Sequence, residues 1–172
     1  MHITLLMAQS ANGLICDKNG KEDFLSEENW QIFVDKAKEI GCLIWGRSTY
    51  EAVSSWGSGY LKQLIGVRKI ILSRSKKLFL PMGFEQAMSV SEAVYNLESA
   101  GIDKALVSGG SQTNSAFTQA GLVDELILLV NPVLIGEGKG IFSGLDFEIG
   151  LKLEKITTEK NGIIKMVYKV LN

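Results

Sequence analysis

The stretch Cys42-Leu43-Ile44-Trp45-Gly46-Arg47-Ser48-Thr49 runs from an apolar, strand-length segment into a glycine, a guanidinium and two hydroxyls. A short apolar run that ends on a turn residue reads as a buried strand, and the hydroxyl-bearing residues after it suit the start of a helix. The same alternation extends outward in both directions. Ile3 to Ala8, Lys69 to Ser73 and Lys104 to Ser108 are further strand-like runs, separated by segments with helical period. Between Ala8 and Cys42, Trp30, Phe33, Val34 and Ala37 recur on one helical face, with Ser26 placed to cap the start and Gly41 the end. Ser89 and Glu92 stand at capping-box spacing ahead of Val90, Ala93, Val94 and Leu97, and that helix stops at Gly101. A third helix runs from about Ser111 to Ala120. Strands alternating with helices predict a mainly parallel sheet with helices on both faces, a three-layer α/β fold.

Past Glu125 the pattern changes. A long apolar run, Leu126 to Ile135, leads to Gly136, Gly138 and Gly140, a segment that reads either as a flap over a cofactor or as a plain connection. Strand-like segments around Lys152 and Val167 follow, joined by Asn161-Gly162, a pair suited to the positive φ of a tight hairpin turn. An antiparallel C-terminal hairpin at the sheet edge is therefore expected. Pro81 and Pro132 are the chain's two prolines, and no linker or internal repeat interrupts residues 1–172, so one domain is the economical reading.

Composition narrows the partners. Lys and Arg (18) nearly balance Asp and Glu (19), and the short basic stretch at Lys76 and Lys77 is too brief to make nucleic acid or an anionic membrane a partner. A small-molecule substrate fits better. No apolar stretch approaches the roughly 20 residues of a membrane helix and no leader pattern opens the chain, which predicts a soluble cytoplasmic protein. Cys16 and Cys42 are read as buried reduced thiols, and His2, the single histidine, leaves no material for a histidine-based metal site or triad.

Ligands of open α/β sheets collect at the carboxyl ends of parallel strands, where helix N-termini favour anions. Three such ends carry anion-receptive residues: Gly46-Arg47-Ser48-Thr49, Ser73-Arg74-Ser75 and Ser108-Gly109-Gly110-Ser111. Each has a bland reading, as a structural turn or a solvated charge; their convergence on one side of one sheet favours a phosphate site. Two arginines suit a ligand with an extra phosphate, NADPH rather than NADH.

These motifs, with Ser10-Ala11-Asn12-Gly13, the run Ala120 to Leu126 and Pro132 to Gly138, resemble the dihydrofolate-reductase-like superfamily, in particular the branch related to the C-terminal reductase domain of bacterial riboflavin biosynthesis. The resemblance implies an NADPH-dependent reductase of a small heterocycle of the pterin or pyrimidine kind, and a homodimer. It implies that Gly46, Arg47, Ser48 and Thr49 hold the pyrophosphate and 2′-phosphate region, that Ser73 and Arg74 flank the adenosine phosphate, and that Gly109, Gly110, Ser111 and Gln112 complete the cradle. Ala8, Gly13, Leu14 and Ile15 would line the nicotinamide. Asn12, Trp30, Phe33 and Arg68 are the candidates to meet substrate, although Trp30 and Phe33 also read as core and Arg68 as half of a surface ion pair. For the proton, Glu27 at the start of the first helix is the candidate, with Glu28 and Asp23 nearby; the other reading of these acids is that they complement the helix dipole. Riboflavin-branch reductases carry an arginine and an aspartate late in that helix, where this chain aligns Ala37 and Gly41. That departure argues against a ribosylaminopyrimidine phosphate and leaves room for a non-catalytic nucleotide-binding or dimerising protein.

Overall fold

The structure, a computed structural model, describes residues 1–75, 78–144 and 146–171. Lys76 and Lys77 lie outside the described residues. Along the chain come β1 (His2–Ser10), β2 (Leu14–Asp17), α1 (Glu27–Ile40), β3 (Cys42–Gly46), α2 (Arg47–Ser55), α3 (Ser58–Lys62), β4 (Arg68–Leu72), β5 (Phe84–Ala87), α4 (Val90–Ser99), β6 (Lys104–Val107), α5 (Ser111–Gln119), β7 (Glu125–Asn131), β8 (Gly138–Gly140), β9 (Gly150–Thr158) and β10 (Ile164–Leu171). Among the described residues one sheet has the order β5-β4-β3-β6-β1-β7-β10-β9, and β2 pairs with β8 in a second, two-stranded sheet. Strands β5 to β7 in that order are parallel, whereas β10 is antiparallel to both β7 and β9.

Helices cover both faces of the parallel part, giving the expected three layers. On one face Ala93 and Leu97 of α4 and Phe117 of α5 pack on Ile3, Leu5, Ile44 and Ile70. On the other, Phe33, Val34 and Ala37 of α1 and Val53 of α2 pack on Leu6, Leu43, Trp45 and Ile71. Phe33 lies nearly parallel to Trp45 at 5.7 Å between ring centroids, a contact worth about 0.5–1.5 kcal/mol beyond its buried area.

The caps work as local chemistry dictates. Ser26 accepts from the Asn29 amide at the start of α1, and Gly41 closes it at φ 82°, a left-handed conformation that glycine adopts without penalty. Ser89 accepts from the Glu92 N–H, but the Glu92 carboxylate reaches one residue beyond the cap and accepts from Met88 N–H at 2.8 Å. Asn161 and Gly162 take φ 58° and 74°, turning β9 back into β10. Strand β7 stops at Asn131, short of the apolar run to Ile135, because Pro132 has no N–H to continue a ladder. Short β5 and the β2–β8 pair were not apparent in the sequence pattern. Gly138–Gly140 is thereby a connection held against β2 rather than a free flap. Cys16 and Cys42 are free and buried. Among the described residues no helix is long and apolar enough to cross a membrane.

Candidate active site

Strands β3 and β6 are neighbours in the sheet, so the turns at their carboxyl ends lie side by side. Helix α2 begins directly after Gly46 and α5 directly after Gly110, and neither N-cap carries a side-chain hydrogen bond. The first N–H groups of both helices are thus left for a ligand, and the two dipoles add positive potential at one place. Gly46 N–H donates to the Gly109 carbonyl at 2.8 Å, locking the turns together. A Cβ at Gly46 would collide with the hydroxyl of Thr113, so glycine is required there for close packing. Thr49 Oγ1 stands 3.4 Å from where a Cβ of either Gly109 or Gly110 would be, which leaves that backbone bare toward the cleft. The Gly109–Gly110 peptide is cis.

The glycine turn is fixed by its flanking serines and by Asn114, which sequence reasoning did not single out. Buried Asn114 accepts from Gly109 N–H at 2.9 Å and donates to the Ile141 carbonyl at 3.0 Å. Ser108 Oγ donates to the Leu6 carbonyl, and Ser111 Oγ to the Gly140 carbonyl at 2.6 Å. The signal was present: α5 buries Thr113, Asn114, Ser115 and Thr118 where an ordinary helix would bury an apolar stripe.

At the neighbouring strand end, Gln86 donates to the carbonyls of Ser73 (3.2 Å) and Ser75 (2.7 Å) and holds the turn in place. Arg47 crosses from α2 to this turn, donating to Ser75 Oγ at 3.0 Å while its Nε lies 3.5 Å from Glu51. Arg74 is exposed and has no ion-pair partner among the described residues. The two arginines stand beside the cradle, outside the cavity lining.

Next to the cradle opens a cavity of about 540 Å³. Leu6, Met7 and Ala8 of β1, Ile15 of β2, Thr49, and Ser108 to Gly110 form one end. Trp30, Phe33, Trp56 and Tyr60 form an aromatic wall, with Trp30 5.1 Å from both Phe33 and Tyr60 between centroids. Trp30 Nε1 donates to Gln63 at 3.2 Å. Lys21, Glu22, Asp23 and Glu27 supply the charges of the lining. Glu22 is partly buried, and burial pushes its carboxyl above the usual carboxylate range. Sequence reasoning passed over it, because it lies in an aperiodic loop between β2 and α1.

Of the residues proposed from sequence, Ala8, Ile15, Glu27, Trp30, Phe33, Thr49, Gly109 and Gly110 come together around this cavity. Gly13, Leu14, Gly46, Ser48, Ser73, Ser111 and Gln112 do not line it. Asn12 is a correction: its amide donates to the Ile135 carbonyl and accepts from Ile135 N–H and Ser10 Oγ, leaving little for a substrate. Arg68 is a second correction. It opens β4 at the amino end of the sheet, opposite the cavity, and pairs with Glu85 at 2.7 Å. Ala37 and Gly41 lie toward the same far end, since α1 runs into the start of β3, and neither lines the cavity. Among the described residues no group of three His, Cys, Asp or Glu can hold a metal ion.

The family model of the RibD C-terminal domain matches residues 1–165. The chain is 26% identical over 179 residues to the uncharacterized protein YyaP of Bacillus subtilis, covering 96% of this chain and 93% of that one. It is 28% identical over 155 residues to the riboflavin biosynthesis protein RibD of Corynebacterium ammoniagenes; the match takes in 83% of this chain and spans 46% of that longer relative. Among solved structures, a pyrimidine reductase-like protein of Corynebacterium diphtheriae superposes with a TM-score of 0.81 at 16% identity, over 99% of this chain and 92% of that one, which is a likeness of fold.

Proposed function

The chain belongs to the RibD C-terminal domain family, and from that premise we propose that it is an NADPH-dependent reductase of a small heterocycle of the pterin or pyrimidine kind. The observation that carries the reading is the convergence of two helix N-termini, neither capped by a side chain, on the Gly109–Gly110 turn at one end of an aromatic-walled cavity. Such a cradle fits a pyrophosphate, and the bare glycine backbone lets it come close. In this reading the N–H groups that open α2 and α5, with the Thr49 hydroxyl, hold the pyrophosphate, and Arg47 and Arg74 take the 2′-phosphate. Ala8 and Ile15 pack against the nicotinamide side. The bound cofactor supplies hydride, and the aromatic wall keeps water from the reacting face.

NADPH being a cytoplasmic reductant, the reading carries a cytoplasmic location with it. It also includes a homodimer. Leu151, Leu153 and Ile156 of β9 are exposed on the sheet face that carries Met166 and Tyr168, and a second copy would cover them.

Titration of the protein with NADPH and with NADH, followed by tryptophan fluorescence, tests the proposal, since Trp30, Trp45 and Trp56 all line the cavity. Saturable quenching with preference for NADPH is expected. Absence of binding to either cofactor at millimolar concentration would end the reductase reading, and binding without turnover on any heterocycle would favour the non-catalytic alternative.

A further inference from the structure

Helix α5 buries a polar stripe, and the strap that follows β8 is what it grips. Ser111, Asn114 and Ser115 stand at i, i+3 and i+4, so they share one helix face. Beyond Gly140 the chain leaves the β2 ladder, and its backbone groups need other partners. Ser111 Oγ donates to the Gly140 carbonyl and Asn114 Nδ2 to that of Ile141. Ser115 Oγ donates to the Ser143 carbonyl at 3.1 Å and accepts from Ser143 N–H at 2.9 Å. Side chains of one helix thus hold the strap from Gly140 to Ser143.

Asn114 is the member of this stripe whose side chain also holds the glycine turn. Its Oδ1 accepts from Gly109 N–H, and the Gly109 carbonyl accepts from Gly46 N–H, so both backbone groups of Gly109 are spent inside the protein. A phosphate is then received by the N–H groups that open α2 and α5, and this locked residue sets where those groups stand relative to one another. Asn114 is completely buried. A carboxamide offers an acceptor and a donor at one end, whereas a carboxylate offers acceptors only, so the position uses both halves of an asparagine. At its other end the strap runs back into β8, which pairs with β2, and β2 brings Ile15 to the cavity. One amide therefore stands between the wall that carries the phosphate cradle and the wall on the nicotinamide side.

We propose that Asn114 is a positioning residue for the dinucleotide, holding the Gly109–Gly110 turn and the β8 strap in one register so that phosphates and nicotinamide are seated together. The role rests on the reductase reading above. Asn114 is not in the cavity lining and acts through Gly109 and Ile141. Ser115 supplies a matched comparison: it is equally buried on the same helix and makes two hydrogen bonds to the strap, but its side chain has none to the turn.

The test uses the full chain as wild type, Asn114→Ala and Ser115→Ala, with two probes, NADPH and 2′-phospho-ADP-ribose, which keeps the phosphates and lacks nicotinamide. Each variant loses two buried hydrogen bonds, so both should lower Tm by about 2–12 °C. Asn114→Ala should weaken NADPH about 5-fold to 50-fold, and 2′-phospho-ADP-ribose less, because that probe makes no use of the β2 wall. Ser115→Ala should bind both probes within about 2-fold of wild type. At saturation the nicotinamide emission of bound NADPH should move toward that of free NADPH in Asn114→Ala and keep the wild-type spectrum in Ser115→Ala. Unchanged NADPH affinity in Asn114→Ala overturns the role, as does an equal loss in Ser115→Ala, which would make the effect one of stability. Equal weakening of both probes, or unshifted emission, overturns the link to the nicotinamide side. Should Asn114→Ala not fold, amide exchange in wild type decides: 2′-phospho-ADP-ribose should slow exchange at residues 140–143 more than in β9, and the absence of that difference overturns the link. A wild type that binds neither probe is a different failure, that of the reductase reading, and is read before any variant is compared.

Discussion

Replacing Arg47 or Arg74 by alanine should separate NADPH from NADH, and the two positions should not respond equally. A charge-assisted contact between a guanidinium and a phosphate is worth about 1.5–3 kcal/mol. Arg74 has no competing ion pair among the described residues, so Arg74→Ala should lose most of this and weaken NADPH binding about 10-fold to 100-fold. Arg47 starts from a different position. Its Nε is 3.5 Å from Glu51, with the two side chains 47% and 61% exposed, and an exposed pair of this kind is worth roughly 0.2–1 kcal/mol. Part of the gain on binding phosphate replaces that pair, so Arg47→Ala should cost roughly 2-fold to 100-fold. By the same reasoning Glu51→Gln, which frees Arg47, should strengthen NADPH binding by a factor on the order of 1.4 to 5. Calorimetric or fluorescence titrations with both cofactors, at low and high salt, give the ratios directly. NADH affinity should change little in every variant, and salt should narrow the wild-type preference. An unchanged NADPH-to-NADH ratio in both arginine variants would show that neither guanidinium meets the 2′-phosphate.

Gly46→Ala places a methyl group against the buried Thr113 hydroxyl and should destabilise the fold by about 1–3 kcal/mol, lowering Tm by about 2–12 °C. Thr113→Ala in the same chain removes the obstructing atom and should restore most of the loss; thermal unfolding in which it restores nothing contradicts the packing. The thiol of Cys42 is pushed up to about 11 by burial, so at pH 8 its thiolate is roughly one part in a thousand, and alkylation should wait for unfolding. Because the folded pKa lies above that of a free thiol, the stability this thiol contributes is complete below about pH 9 and is lost as pH rises toward 11. Rapid labelling of native protein at pH 8 would show the site to be open. Sedimentation should show a dimer at micromolar concentration, converted toward monomer by Leu153→Lys on the exposed face of β9, and a wild-type monomer would exclude that interface.

The reach of the sequence is set by the range of the interaction that encodes each feature. Ser26, Gly41, Ser89 and Asn161-Gly162 act over three or four residues, so their geometry is nearly written in their spacing. The cradle was legible for a related reason. Backbone N–H groups do the binding, and any strand followed at once by a glycine and a helix places them at the same end of a parallel sheet. Short β5 and three-residue β8 were not legible, since their own residues carry no strand period and the partner of β8 lies far along the chain. Arg68 and Asn12 were misplaced by the same limitation. Each stands beside a strand in sequence, but whether it faces a ligand depends on Glu85 and Ile135, whose proximity only the assembled sheet creates.

Glu22 is the sharpest instance, because what sets it apart is burial rather than a hydrogen bond. A donor within a few residues would have left a motif; Asp17, whose carboxylate takes the Asn19 and Lys21 amides, has such partners and is correspondingly anchored and charged. Among the described residues the Glu22 carboxyl has no such anchor, and it lines a cavity whose other walls come from β1, α1 and α3. A carboxyl shaped by burial alone therefore has little local signature. The loop between β2 and α1 thus supplies part of the cavity lining without carrying any of the strand-end motifs that announce the family.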